Sequence, residues 1–114
     1  MNRTPCSMIQ AMIADSQAET YAAECMIMDA ARRRDAGEDV TLLASSTKLF
    51  ATEACGRVAD RAVQVFGGAG YVSDYGIERF YRDVRIFRLY EGTSQIQQII
   101  IARELAKAAK AGRL

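Results

Sequence analysis

One proline stands in the whole chain, Pro5, and it lies ahead of the first long periodic segment. Proline removes an amide donor and clashes with the preceding helical turn, so everything beyond position 5 is free to form long uninterrupted helices, and Pro5 itself can open one. Helical periodicity follows. From Ser7 to about Arg34, the residues Ile9, Met12, Ile13, Ser16, Thr20, Ala23, Ile27 and Ala30 recur at three- and four-residue steps, the spacing of one helical face. The basic run Arg32, Arg33, Arg34 suits the negative pole of that helix, and Asp35-Ala36-Gly37 supplies a stop. A second helix is expected with Asp39 or Thr41 as its cap, running to about Phe66 with Leu43, Thr47, Phe50, Ala54, Val58 and Val65 on one stripe, and ended by Gly67-Gly68. Glycines 67, 68, 70 and 76 then break the pattern, and ERFYRDVRIFRLY predicts at most a short helix. A last helix begins at Thr93 or Ser94 and carries Ile96, Ile99, Ile100 and Leu105; Ser94 and Gln97 have the spacing of a capping box.

No segment alternates with a period of two over a convincing length, and no internal repeat is visible. The expected fold class is therefore all-α, an antiparallel bundle of three long helices and one short one, in a single domain over residues 1–114. The apolar faces are rich in alanine (Ala11, Ala14, Ala18, Ala22, Ala23), which lets helices approach closely but buries little area per residue. Such a bundle is marginal alone, so part of its apolar surface is expected to be covered by another copy, another domain or a ligand.

Fifteen basic against fourteen acidic residues give a net charge of +1, which favours neither nucleic acid nor an anionic membrane. Cys6, Cys25 and Cys55 show no CxxC spacing, and the chain has no histidine to share a metal or to serve Ser-His or Cys-His catalysis. They read as reduced thiols with no metal site. The opening MNRTPCSMIQAM lacks both the layout of a secretory signal and a run of about 20 apolar residues, so the expected compartment is the cytoplasm, or the mitochondrial matrix in a eukaryote.

Three segments could carry chemistry. In Leu89-Tyr90-Glu91-Gly92-Thr93-Ser94-Gln95 a carboxylate stands before a glycine and the first turn of a helix, whose free amides can seat a phosphate or oxyanion. Glu91 is the catalytic candidate, either as a general base or as a carboxylate satisfying the helix dipole. A base working near neutrality would need an apolar ligand to exclude water. In Gln64-Val65-Phe66-Gly67-Gly68-Ala69-Gly70-Tyr71 the glycine-rich turn follows a helix rather than a strand, so the dinucleotide fingerprint fails, leaving a helix stop or a ligand contact. The stretch from Glu78 to Arg88 interleaves arginines with aromatics, but Glu78 and Asp83 sit among the cations, favouring internal ion pairs and stacking over nucleic-acid binding.

Taken together, IADSQAE, DAGEDV, KLFATEACGRVADRAVQVFGGAGY, ERFYRDVRIFRLYEGTSQIQ and IAREL occur in an order and spacing that resemble the acyl-CoA dehydrogenase C-terminal domain over nearly the whole chain. The resemblance implies part of that family's four-helix bundle and a flavoenzyme that removes the α-proton and β-hydride of an acyl-CoA thioester. The expected product is a trans-2-enoyl-CoA, with FAD as cofactor and electrons passed to an electron-transferring flavoprotein. It implies Glu91 as the base and Gly92 as a contact to the acyl thioester. Thr93, Ser94 and Gln95 match a segment contacting FAD, while Gln64, Val65, Phe66, Gly67 and Gly68 match the stretch reaching the FAD of a neighbouring subunit in a homo-oligomer. A glutamate at 91 fits the straight- or short-branched-chain enzymes. Complete members carry an N-terminal helical domain, a middle β-domain and a further bundle helix ahead of the matched region, so catalysis by these residues in isolation is not expected. The alternative is a helical association module that keeps the family's inter-subunit surface without its catalysis.

Overall fold

A computed structural model describes residues 7–114; Pro5 and Cys6 lie outside them. The described residues are helical and form no strand: α1 (Ser7–Asp35), α2 (Thr41–Phe66), α3 (Gly68–Tyr71), α4 (Ile77–Val84) and α5 (Ser94–Lys110), with 3-10 turns at Ser73–Tyr75 and Arg85–Arg88. The three long helices and the short α4 are those the periodicity predicts. The one-turn α3 is an addition. Gly67, at φ 61° and ψ −141°, ends α2 by itself, and Gly68 already opens the next turn. That turn folds back so tightly that a Cβ on Gly70 would stand 2.5 Å from the Val63 carbonyl oxygen, a contact only glycine avoids.

Helix α1 stops as its sequence predicts. The Glu38 amide bonds to the Arg33 carbonyl and the Gly37 amide to the Arg34 carbonyl, both at 3.0 Å, a Schellman closure with Gly37 at φ 83°. The following helix begins at Thr41 with Val40 in the cap position. Asp39 supports that start from one residue further out, its Oδ1 accepting from the Thr41 amide at 3.0 Å and the Thr41 hydroxyl at 2.7 Å. The short link makes α1 and α2 an antiparallel hairpin. Glu19 on α1 fastens it by accepting from Arg61 at 2.8 and 3.2 Å and from Arg57 at 3.0 Å. The Arg61 hydrogen bond holds the Glu19 carboxyl below its ordinary value despite the cost of desolvation, with Arg57 acting in the same sense.

α1, α4 and α5 all pack on α2, which is the spine of the molecule. α5 runs antiparallel to it, from Ser94 beside Glu53 back toward Asp39, whose carboxylate feels Lys107. The stretch between them behaves as an ion-paired segment: Arg82 bonds Glu78 at 2.7 Å, Arg79 meets Asp83 at 3.5 Å, and Phe87 stacks on Tyr90 with centroids 5.9 Å apart.

The core is thin. Among the described residues only Ala54 and Ala59 are buried apolar side chains, and the accessible surface is 8332 Å², against about 6200 Å² for a compact monomer of this mass. Three members of the stripe expected on α1, Ile13, Thr20 and Ile27, face outward, because α2 packs one residue around the helix, against Met12, Ser16 and Glu19. They border a continuous open groove along the α1–α2 hairpin. One end is lined by Ile13, Val65 and Phe66, the middle by Ile27, Ala51 and Val58, and the other end by Val40, Ala44 and Lys48.

Candidate functional site

The junction between the 3-10 turn at Arg85–Arg88 and α5 is built differently. Here polar side chains are buried and, apart from the Arg88 Nε, hydrogen-bonded. Thr93 takes the cap position of α5, its hydroxyl oxygen accepting from the Ile96 amide at 3.2 Å. Ser94 therefore sits inside the helix, and the capping box expected from Ser94 and Gln97 does not form. Ser94, only 5% exposed, donates its hydroxyl to Glu53 on α2 at 2.7 Å instead. Gln97, 7% exposed, turns its amide back to the Gly92 carbonyl at 3.4 Å. The second oxygen of Glu53 accepts from Arg88 at 3.3 Å. The Ser94 hydrogen bond, followed by the Arg88 charge, keeps the Glu53 carboxyl below its ordinary value against desolvation. Gly56 makes room for Arg88: a Cβ there would stand 3.3 Å from the guanidinium carbon.

Glu91 projects from this junction, exposed, with φ 52°; it is the one non-glycine residue with positive φ among those described. Gly92 follows at φ 87°, and a Cβ on it would fall 2.6 Å from the Gln97 amide nitrogen, so both backbone and packing require glycine. Two successive left-handed residues swing the chain into α5 and leave the Glu91 side chain outside the polar network. The Lys48 ammonium, reaching over from α2, donates to the Tyr90 carbonyl at 2.8 Å and also to the Gly92 carbonyl. Gln95 is exposed on the first turn of α5.

The other group of expected contacts stands apart. Gln64, Val65, Phe66, Gly67 and Gly68 are all exposed at the far end of α2, about 16 Å further along its axis than Glu53 at the helical rise per residue. Nothing lies within 4 Å of a Cβ built on Gly67 or Gly68, so the backbone there is open to close approach. The chain thus brings together residues 91–95 at one place and 64–68 at another. Sequence reasoning passed over Lys48 and Glu53, and placed Arg88 in a segment of internal ion pairs without naming Glu53 as its partner. All three lie within the segments that carry the resemblance, but their partners are 35 to 44 residues away, beyond any local pattern. Cys25 and Cys55 are free thiols; burial pushes the Cys55 thiol up. No described helix is long and apolar enough to cross a membrane, and no three potential metal ligands cluster among the described residues.

Comparison with known proteins gives the same answer throughout. Residues 6–106 match the model of the acyl-CoA dehydrogenase C-terminal domain. The chain is 47% identical over 102 residues to the cyclohexane-1-carbonyl-CoA dehydrogenase of Geobacter metallireducens, covering 90% of this chain and 27% of that protein. It is 44% identical over 96 residues to CarC, a subunit of the caffeyl-CoA reductase-Etf complex of Acetobacterium woodii, covering 84% of this chain and 25% of that one. Among solved structures, the FAD complex of PigA superposes with a TM-score of 0.86 at 28% identity, over 89% of this chain and 26% of that chain. The chain spans about a quarter of the length of the relatives it matches. By sequence and by fold, it belongs to the acyl-CoA dehydrogenase family and corresponds to that family's C-terminal helical domain.

Proposed function

We propose that these 114 residues form one helical domain that supplies the base and part of the flavin cradle of an FAD-dependent acyl-CoA dehydrogenase. The observation that carries this reading is the placement of Glu91, an exposed carboxylate on a left-handed turn whose flanking carbonyls are both held by Lys48. Non-glycine residues held in that region concentrate where geometry serves function. In the proposed reaction Glu91 takes the α-proton of an acyl-CoA thioester, and Gly92, lacking a side chain, lets the thioester lie against the backbone. FAD bound there would supply the acceptor for the β-hydride, the product being a trans-2-enoyl-CoA. An electron-transferring flavoprotein would be the partner that takes the electrons onward, a role for which the Etf complex containing the related CarC gives support.

The residues at hand fit a flavin in two parts. Thr93, Ser94 and Gln95 present the start of a 17-residue helix, where unpaired amides and the dipole favour an anion. The buried hydroxyl of Ser94 is committed to Glu53, leaving its backbone for the cofactor. Gln64, Val65, Phe66, Gly67 and Gly68 offer an open, exposed backbone too far along α2 to share that contact, which supports their reaching a neighbouring subunit's flavin in a homo-oligomer. Turnover also needs a flavin-ring site and an acyl pocket that these residues do not enclose.

The reading is tested in a complete relative whose C-terminal domain is exchanged for these residues, so that the flavin-ring site and the acyl pocket are supplied, on a half-reaction that asks only for a base and a bound thioester: exchange of the acyl-CoA α-proton with solvent deuterium in the presence of FAD. Exchange above the uncatalysed rate, removed by Glu91→Gln, is expected. Exchange at the uncatalysed rate, or exchange that survives the substitution, overturns the assignment and favours the association-module alternative.

A further inference from the structure

We propose that Lys48 is the positioning residue that sets the Glu91 turn, an inference that rests on Glu91 being the base. A glutamate in the left-handed region is disfavoured by roughly a factor of ten, so something must hold it there. The amino-acid sequence around it does not: Glu91 is neither glycine nor asparagine, and the cap at Thr93 closes the helix without touching the Glu91 peptide. What does touch the turn is Lys48. Its ammonium donates to the carbonyls of the residues on both sides of Glu91, Tyr90 and Gly92, from a helix 42 and 44 residues away. Bringing two carbonyls flanking one residue onto a single donor group curls the backbone between them and fixes its direction. Gln97 holds the Gly92 carbonyl from a second side, and the stacking of Tyr90 on Phe87 anchors the incoming strand of the turn.

The chemistry of the donor matters. A lysine ammonium is a compact charge with three tetrahedral donors, suited to two carbonyls converging on one point, whereas the planar fork of arginine suits paired oxygens lying side by side. Lys48 is also placed apart from the network that secures α5 itself. Glu53 accepts from Ser94 and Arg88, and Arg88 lies over Gly56; neither is bonded to the Glu91 peptide. Removing Lys48 should therefore release the turn while the helices stay docked.

The test is a spectroscopic signature on the full chain, free of flavin and substrate. A residue with positive φ brings its amide proton close to its own α-proton, giving a strong intraresidue contact in nuclear magnetic resonance. That contact at Glu91 is expected to be strong in the unaltered chain and to fall at least twofold in Lys48→Met and in Lys48→Arg, with the Thr93-to-Ile96 cap unchanged. Its persistence in Lys48→Met would overturn the proposal. If Lys48→Met does not fold, adding Glu91→Gly, which removes the strain, is expected to restore the helical signal; failure to restore it counts against the role equally. In the deuterium-exchange assay, Lys48→Met is expected to slow exchange about tenfold with the acyl-CoA affinity unchanged, and an unchanged rate overturns the proposal. Because the resonance experiment needs no ligand, a lost signature without exchange in any variant would leave the Lys48 geometry standing while the base assignment fails.

Discussion

The two long faces of α2 solve the packing problem in opposite ways. Toward α5 it presents Glu53, which fixes the helix contact by accepting from Ser94 and Arg88, and Lys48, which donates to the Tyr90 and Gly92 carbonyls of the turn ahead of it, with the Arg88 Nε left buried and unpartnered. Toward α1 it presents Ala51, Ala54, Cys55 and Val58, and the contact leaves an open apolar groove with Ile27 49% exposed and Phe66 47% exposed. Hydrogen bonds specify one register and little else, while apolar burial supplies most of the stability and tolerates many partners. The contact with α5 is therefore specified within the chain, and the groove face asks for a covering surface. Lys48 belongs to both, since its stem closes one end of the groove while its ammonium holds the Glu91 turn.

The sharpest way to break this contrast is Glu53→Ala. It leaves the Ser94 hydroxyl and the Arg88 guanidinium facing each other without an acceptor, and the expected cost is about 3 kcal/mol of folding free energy, read by denaturant unfolding. A loss below about 1 kcal/mol would mean that the polar face contributes no more than an ordinary surface. Next comes Ile27→Asp in the groove. If the groove is covered by another copy, this change is expected to weaken association by about 2 kcal/mol, seen as a shift toward monomer in light scattering, while the α1–α2 hairpin keeps its helical signal. A chain that is monomeric at micromolar concentration before any substitution contradicts the homo-oligomer outright. Thr93→Ala removes the cap of α5 and is expected to cost about 1 kcal/mol, visible as fraying of that helix in amide exchange.

The smallest effect is that of acid. Glu19 and Glu53 both have carboxyls held below their ordinary value of 4.5. Depressed carboxylates stabilise the fold above that value, and the contribution is lost as pH falls through their lowered native values. Unfolding of the chain should therefore shift toward milder conditions below pH 4.5, and Glu19→Gln together with Glu53→Gln should reduce that dependence, leaving the share of Asp39, whose carboxyl is also held down by its bonds from Thr41.

The long helices were legible because their determinants are local: the three-four spacing of Ile9, Met12 and Ile13, the stop at Gly37, the cap at Thr93. The facing of α1 was less so, since Ile13, Thr20 and Ile27 fit an apolar stripe as well as the residues that α2 covers. Only the partner's position decides between faces one residue apart. Ser94 and Gln97 carry a capping-box spacing, yet Glu53 on another helix competes for the Ser94 hydroxyl and wins, moving the cap to Thr93. Glu91 and Gly92 were singled out as candidates by type and place, but the positive φ of Glu91 was not foreseen, because the lysine that holds the turn is remote in sequence.

The most direct test of the whole account is a titration of the chain with FAD, with and without an acyl-CoA, followed by flavin fluorescence. The account predicts saturable binding that is weakened at least tenfold by substitution of Gln64 or Thr93 and is indifferent to Glu91→Gln. Absence of saturable binding, or binding untouched by either substitution, would contradict it and leave the chain as a helical association module.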